Sequence, residues 1–390
     1  MRIRLRFIWP VIVVILLALG AAIYPRFIPA LRAASNITPL ERVRIQPGTQ
    51  PTYNFQAGID GEIFPAFANY ASLQRPKERQ FGTFTVTVRN STDSVLAARI
   101  AVQVPGWSDL EVQNVSVAAG ELRKILFAPS FLPRLYENRE IRPATASLRV
   151  TDSTGHVLHT ETIAVRIRST EDMFWGEDFK FAPFIASWVT PHDARIESIL
   201  ARAKEFMPGR RLPGYESRKS PEAQRASTVA QSKAIYRAVQ QSGLSYVKSS
   251  LTFGRNSAWS ERVRLPHESL TRNSANCIDA VVMYASLFEN LDMDPYVVLV
   301  PGHAYVAVRV AENSDDFIYI ETAITGRSPF EAAISAAAKG MAKYAEKDIT
   351  RIRVAQARAA GIFPMPIPGN DPRHVPMSES ASTPPNAAGQ

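Results

Sequence analysis

The sequence predicts an α+β protein. An all-β segment over residues 45–168 precedes a mixed segment over 170–362, in which an apolar helix packs on an antiparallel sheet. Three observations predict it. Between Ile45 and Arg168, short alternating runs are separated by turn clusters. Near Ser169 the composition changes, and a helical hydrophobic period follows from Ile196. Residues 278–290 are apolar over most of a helical circumference, as in a helix enclosed on nearly all sides. Composition agrees: 390 residues, 46% hydrophobic and 21% charged, with a mean hydropathy of −0.10. These values exclude collagen-like, largely disordered and polytopic membrane classes, and the length accommodates two folded domains.

The first 25 residues are an address. Arg2, Arg4 and Arg6 precede residues 7–25, which carry no charge, and Arg26 follows. A basic start before a run long enough to span a bilayer predicts a signal-anchor or transmembrane segment. The arginines would stay in the cytoplasm, with the body on the extracytoplasmic, periplasmic side of the cell membrane. Small residues at Ala18, Gly20 and Ala22 leave cleavage open. The net charge of +9 is spread without a dense basic block, so no nucleic-acid partner is expected. The single cysteine, Cys277, excludes an intramolecular disulfide and any zinc site built on two thiolates of this chain. No metal or cofactor is expected, and the oligomeric state has no signature.

Within 45–168, Phe84-Thr-Val-Thr-Val-Arg89 alternates cleanly and ends at the turn cluster Asn90-Ser-Thr-Asp93. Further strands are expected over 98–104, 112–117, 122–127, 147–150 and 158–167, with Pro105-Gly106 and Thr151-Asp-Ser-Thr-Gly155 among the turns. Such spacing predicts an antiparallel β-sandwich, immunoglobulin-like in architecture alone because no cysteine pair pins it. Beyond Ser169, Thr190-Pro191-His192-Asp193 has the residues of a helix start, with Thr190 as N-cap. Ile196, Ile199, Leu200, Ala203 and Phe206 follow at helical spacing. A second helix is expected over 222–242, an extended stretch over 244–253, and an Ala-rich helical stretch over 329–360. Residues 363–390 are Pro-rich and read as a disordered tail.

The chemistry gathers around the cysteine. In Asn276-Cys277-Ile-Asp279, Asn276 is a good N-cap and Asp279 completes a short capping box, so Cys277 falls in the first turn of the apolar helix. There the macrodipole favours a thiolate, and unpaired backbone N–H groups can receive an oxyanion. A helix over 278–290 rises about 20 Å. The chain turns at 292–295, and a strand over 296–302 returns about 20–25 Å, which brings His303 back to the level of Cys277. A hairpin over 304–322 then places His303 and Glu321 on one face of adjacent strands. Cys277, His303 and Glu321 thus form a set of nucleophile, base and orienter. His192 and His267 stand beside Pro or Asp in expected loops and read as structural.

Helix-initial Cys277, Gly302-His303-Ala304-Tyr305 and Glu321-Thr322-Ala323 together make residues 266–323 resemble the core of the transglutaminase-like superfamily, which shares a papain-like cysteine catalytic unit. The helices before Cys277 extend the likeness more loosely over about 150 residues. The resemblance implies a Cys277–His303–Glu321 triad without metal or cofactor. It also implies a peptide or amide substrate, here in the cell envelope, with hydrolysis favoured over cross-linking. Two positions depart from the family pattern: the acid is usually Asp, and the residue two after the histidine is often Trp. Related enzymes also use a tryptophan near the oxyanion, for which Trp259 is the candidate. The competing expectation is a catalytically silent binding or assembly module of the envelope.

Overall fold

A computed structural model of the chain describes residues 50–216, 219–248 and 260–366. The expected N-terminal anchor, Trp259 and residues 367–390 of the expected tail lie outside them. The architecture is α+β, with several sheets.

Two sheets open the chain. β1 (Thr52–Ala57), β3 (Phe84–Arg89) and β6 (Leu122–Phe127) form the first, antiparallel in the order β1-β3-β6. β2 (Glu62–Ile63), β4 (Leu96–Gln103), β5 (Glu111–Val117), β7 (Arg142–Asp152) and β8 (Val157–Ile167) form the second, ordered β2-β8-β7-β4-β5. Strict alternation makes this possible. Phe84, Val86 and Val88 are buried, while the residues between them are not. They meet Ile100, Val102, Leu148 and Val150 of the second sheet in a shared core. The second sheet is mixed where the sequence predicted an antiparallel one, because β2 joins β8 in parallel. Two residues are too few to show a period.

A second and larger core surrounds the cysteine helix. α1 (Pro65–Leu73) belongs to the all-β segment in sequence, but it buries Phe67 and Tyr70 in this second core, against Phe181 and Phe184. α2 (Ala194–Ala203) starts later than expected. Asp193, and not Thr190, is its N-cap, accepting from the Arg195 N–H at 2.7 Å. Thr190 is held elsewhere, its N–H donating to Ser286 Oγ at 2.8 Å. α3 (Pro221–Gln241) is capped by Ser220. α4 (Pro266–Arg272), which was not expected, leads through β12 (Ser274–Ala275) into α5 (Cys277–Asn290), whose residues 278–288 are all buried.

α5 lies against a four-stranded sheet ordered β15-β14-β13-β16. Its strands are β13 (Pro295–Val300), β14 (His303–Arg309), β15 (Phe317–Ile320) and β16 (Thr350–Arg353), all antiparallel. Val297, Val306, Val308, Ile318 and Ile320 face the α5 side. Tyr296, Val298, Tyr305 and Ala307 face a smaller cluster with Ala337 of α6 (Phe330–Met341). The Ala-rich stretch is therefore not one run of helix. It forms α6 and α7 (Val354–Ala359), with β16 between them. Thr350-Arg-Ile-Arg353 has the alternation a strand needs, and Ile352 pairs opposite Val297 to cover an otherwise open edge of β13. The packed chain also runs past the expected tail boundary at 363. Met365 is buried, and its N–H donates to the Ser187 carbonyl at 2.9 Å.

Candidate active site

Cys277 is the first residue of α5 and is partly exposed. Its position follows from the cap. Asn276 Oδ1 accepts from the Asp279 N–H at 2.8 Å, and Asp279 Oδ2 accepts from the Asn276 N–H at 3.2 Å, a reciprocal capping box. Asp279 Oδ1 also accepts from the Arg264 N–H at 2.8 Å, which ties the helix start to the preceding segment. Burial raises the Asp279 carboxyl above its ordinary value, against the pull of these donors.

His303 opens β14 directly after a tight reversal. Pro301 leads into Gly302, which takes φ +75°, a value glycine adopts without a Cβ penalty. Val300 and His303 close the hairpin as a pair. The imidazole lies near enough to Cys277 for the thiol to raise its pKa, and its Nε2 lies 2.8 Å from Glu321 Oε2. Glu321 follows β15, in which Ile320 pairs with Val306. Its second oxygen, Oε1, accepts from the Ala323 N–H at 3.0 Å, so both carboxylate oxygens are engaged and the group is 9% exposed. Thr322 Oγ1 approaches the Cys277 carbonyl at 3.5 Å, joining this turn to the helix start. All three residues singled out in the sequence are therefore brought together.

Cys277 and then the hydrogen bond to Glu321, helped by their charge, outweigh burial and push the His303 pKa up to about 9. The imidazolium is thus the favoured form at neutral pH. Tyr305 packs edge-on against the His303 ring, with centroids 4.7 Å apart.

One neighbour escaped sequence reasoning. β10 (Ser245–Tyr246) pairs in parallel with β12, placing Tyr246 opposite Ala275, two residues before the cysteine. The Val247 N–H extends the pairing onto the Ala275 carbonyl at 2.9 Å. Tyr246 is 46% exposed, so it is free to meet a ligand. Burial, then the nearby Cys277 and Glu321, raise its phenol pKa and keep it a neutral O–H donor. Only an extended stretch over 244–253 was legible there, since a two-residue parallel pair carries no periodic signal. His267 lies in the first turn of α4, not in a loop, with Nδ1 3.4 Å from Asp193 Oδ2. Among the described residues, no three His, Cys, Asp or Glu side chains are grouped to hold a metal ion, and no helix is long and apolar enough to cross a membrane. Comparison with protein-family models and with curated proteins returns no match.

Proposed function

We propose that the chain is a membrane-anchored, exported thiol hydrolase of transglutaminase-like fold, preceded by an immunoglobulin-like sandwich and acting on peptide or amide bonds in the cell envelope. The observation that carries the reading is the His303 imidazole, whose Nε2 lies 2.8 Å from Glu321 Oε2 while Cys277, at a helix start, is near enough to raise its pKa. Cys277 Sγ attacks the carbonyl carbon. The cap uses the N–H groups of Asn276 and Asp279, leaving that of Cys277 for the developing oxyanion. The His303 imidazolium gives its proton to the departing nitrogen as the C–N bond breaks. The neutral imidazole then takes a proton from water, whose oxygen attacks the thioester. The C–S bond breaks and the thiolate–imidazolium pair is restored. Glu321 fixes the ring and balances its charge. Water is preferred to an amine as acyl acceptor on the family resemblance, and the anchor is residues 1–25.

Because Cys277 is the sole cysteine, labelling is unambiguous. A peptide-like thiol-reactive probe should label the wild type rapidly at pH 7 and His303→Ala slower by about tenfold or more. Equal labelling of the two, with no hydrolysis of envelope peptides by the wild type, would favour a silent binding module instead.

A further inference from the structure

A cavity of about 300 Å³ opens beside the first turn of α5. Four arginines line it: Arg139 before β7, Arg262 at the end of β11 (Ser260–Arg262), Arg264 just beyond, and Arg272 at the end of α4. The acids of its inner wall are already engaged. Glu171 is paired with Arg262 and lies 3.6 Å from Arg139, while both Asp279 oxygens accept from backbone N–H groups. The guanidinium groups, Arg262 apart, are engaged only in part. Arg139 Nη2 is ion-paired with Glu268 Oε1 at 2.6 Å, but its buried Nη1 has no hydrogen-bond acceptor. Arg264 donates Nη1 to the Ser274 carbonyl at 3.2 Å, and its Nε stays 3.9 Å from Asp279 Oδ2. Among the described residues, the exposed Arg272 side chain makes no hydrogen bond or ion pair. Each arginine offers five N–H donors and no acceptor. The inner wall is therefore richer in donors than in acceptor oxygens.

We propose that this cavity is a carboxylate-binding site, with Arg139, Arg264 and Arg272 as its donors. A planar guanidinium presents paired N–H groups that match the two oxygens of a carboxylate. The volume is at the lower end of the range for small-molecule sites, about 300–1,000 Å³, so the carboxylate is carried on a small body such as a peptide end. Glu140, exposed in the wall, opposes a second negative charge and so favours a monocarboxylate. Asn276 and Asp279 belong to the wall and Cys277 does not, so the ligand meets the cap of the cysteine helix and not the thiol. The site stands independently of the proposed reaction.

Isothermal titration of the full-length chain with acetylglycine tests it, using acetylglycinamide as the neutral counterpart and inorganic phosphate as the rival oxyanion. Saturable one-to-one binding of acetylglycine is expected, with none for the amide, weakened by added salt and by about tenfold in Arg272→Ala. Arg272→Gln should weaken it likewise. Because Arg272 is exposed, both variants should unfold at the wild-type midpoint without ligand. The assignment is overturned by equal binding of acid and amide, by tighter binding of phosphate, by undiminished binding in both variants, or by no saturable binding at all.

Discussion

Glu321 is the residue at which orientation and charge can be separated. Its Oε2 holds His303 and its Oε1 accepts from the Ala323 N–H, so Glu321→Gln keeps an oxygen for one bond and removes the negative charge. The His303 pKa should then fall from about 9 towards its ordinary 6.5, though not the whole way, because Cys277 is the larger cause of the rise. The sign follows from which form the fold prefers. The folded protein binds the proton more tightly than the unfolded chain, so this group stabilises fully below about pH 6.5, and the contribution is lost as pH rises towards 9. The alkaline limb of the turnover profile should therefore move to lower pH in Glu321→Gln, with a rate loss on the order of 10²-fold. Cys277→Ala and His303→Ala should abolish turnover. A pH–rate series decides the matter: an unchanged profile and full activity in Glu321→Ala would reduce the triad to a dyad.

At the scale of elements, the start of α5 is the most consequential boundary in the chain, and Asn276 sets it. Asn276→Ala removes one arm of the capping box and should cost about 1 kcal/mol of stability, with Asn276→Ser recovering most of it. The rate of Cys277 alkylation should fall in Asn276→Ala and return in Asn276→Ser; denaturant titration and alkylation kinetics give both readouts. A cap that changed stability but not alkylation would mean that the cysteine is placed by other contacts. This boundary was legible because its signals are local: a cap residue, an acid three positions on, and an apolar run that fits only a buried helix. The His303–Glu321 pairing was legible for a similar reason, since Val306, Val308, Ile318 and Ile320 fix the register of the hairpin. Long-range choices were not. Thr190 and Asp193 are both competent caps; Asp193 takes the role, while the Thr190 backbone N–H is tied to Ser286, far away in sequence. β16 was hidden in an alanine-rich stretch because its strand character depends on the open edge of β13. β2 and β10 are each two residues long and exist only through their partners.

For the whole molecule, the two cores are interlocked, and chain order does not separate them. A boundary near residue 169 would leave α1 with the all-β segment, yet Phe67 stacks on Phe184 with ring centroids 4.0 Å apart and meets Phe181 and Phe174 edge-on. Phe64 stacks on Phe174, and Tyr70 meets Phe184 edge-on. Polar contacts reinforce the junction: Arg139 is ion-paired with Glu268 at 2.6 Å, Arg262 Nη2 donates to the Arg139 carbonyl at 3.3 Å, and Asn69 Nδ2 donates to the Pro364 carbonyl at 3.3 Å. Removing one buried phenylalanine costs about 3–5 kcal/mol. Domain stabilities are roughly 5–15 kcal/mol, so losing Phe64, Phe67 and Tyr70 together exceeds what the second core can absorb. Residues 170–390 expressed alone should therefore fail to give a cooperative unfolding transition. In the full chain, Phe67→Ala should lower one common midpoint, whether unfolding is followed at Trp107, which packs on the first core, or at Trp188, buried in the second. Separate transitions at the two tryptophans, with Phe67→Ala moving only the one at Trp188, would show that the cores fold independently. The cysteine helix would then need nothing from the strands that precede it.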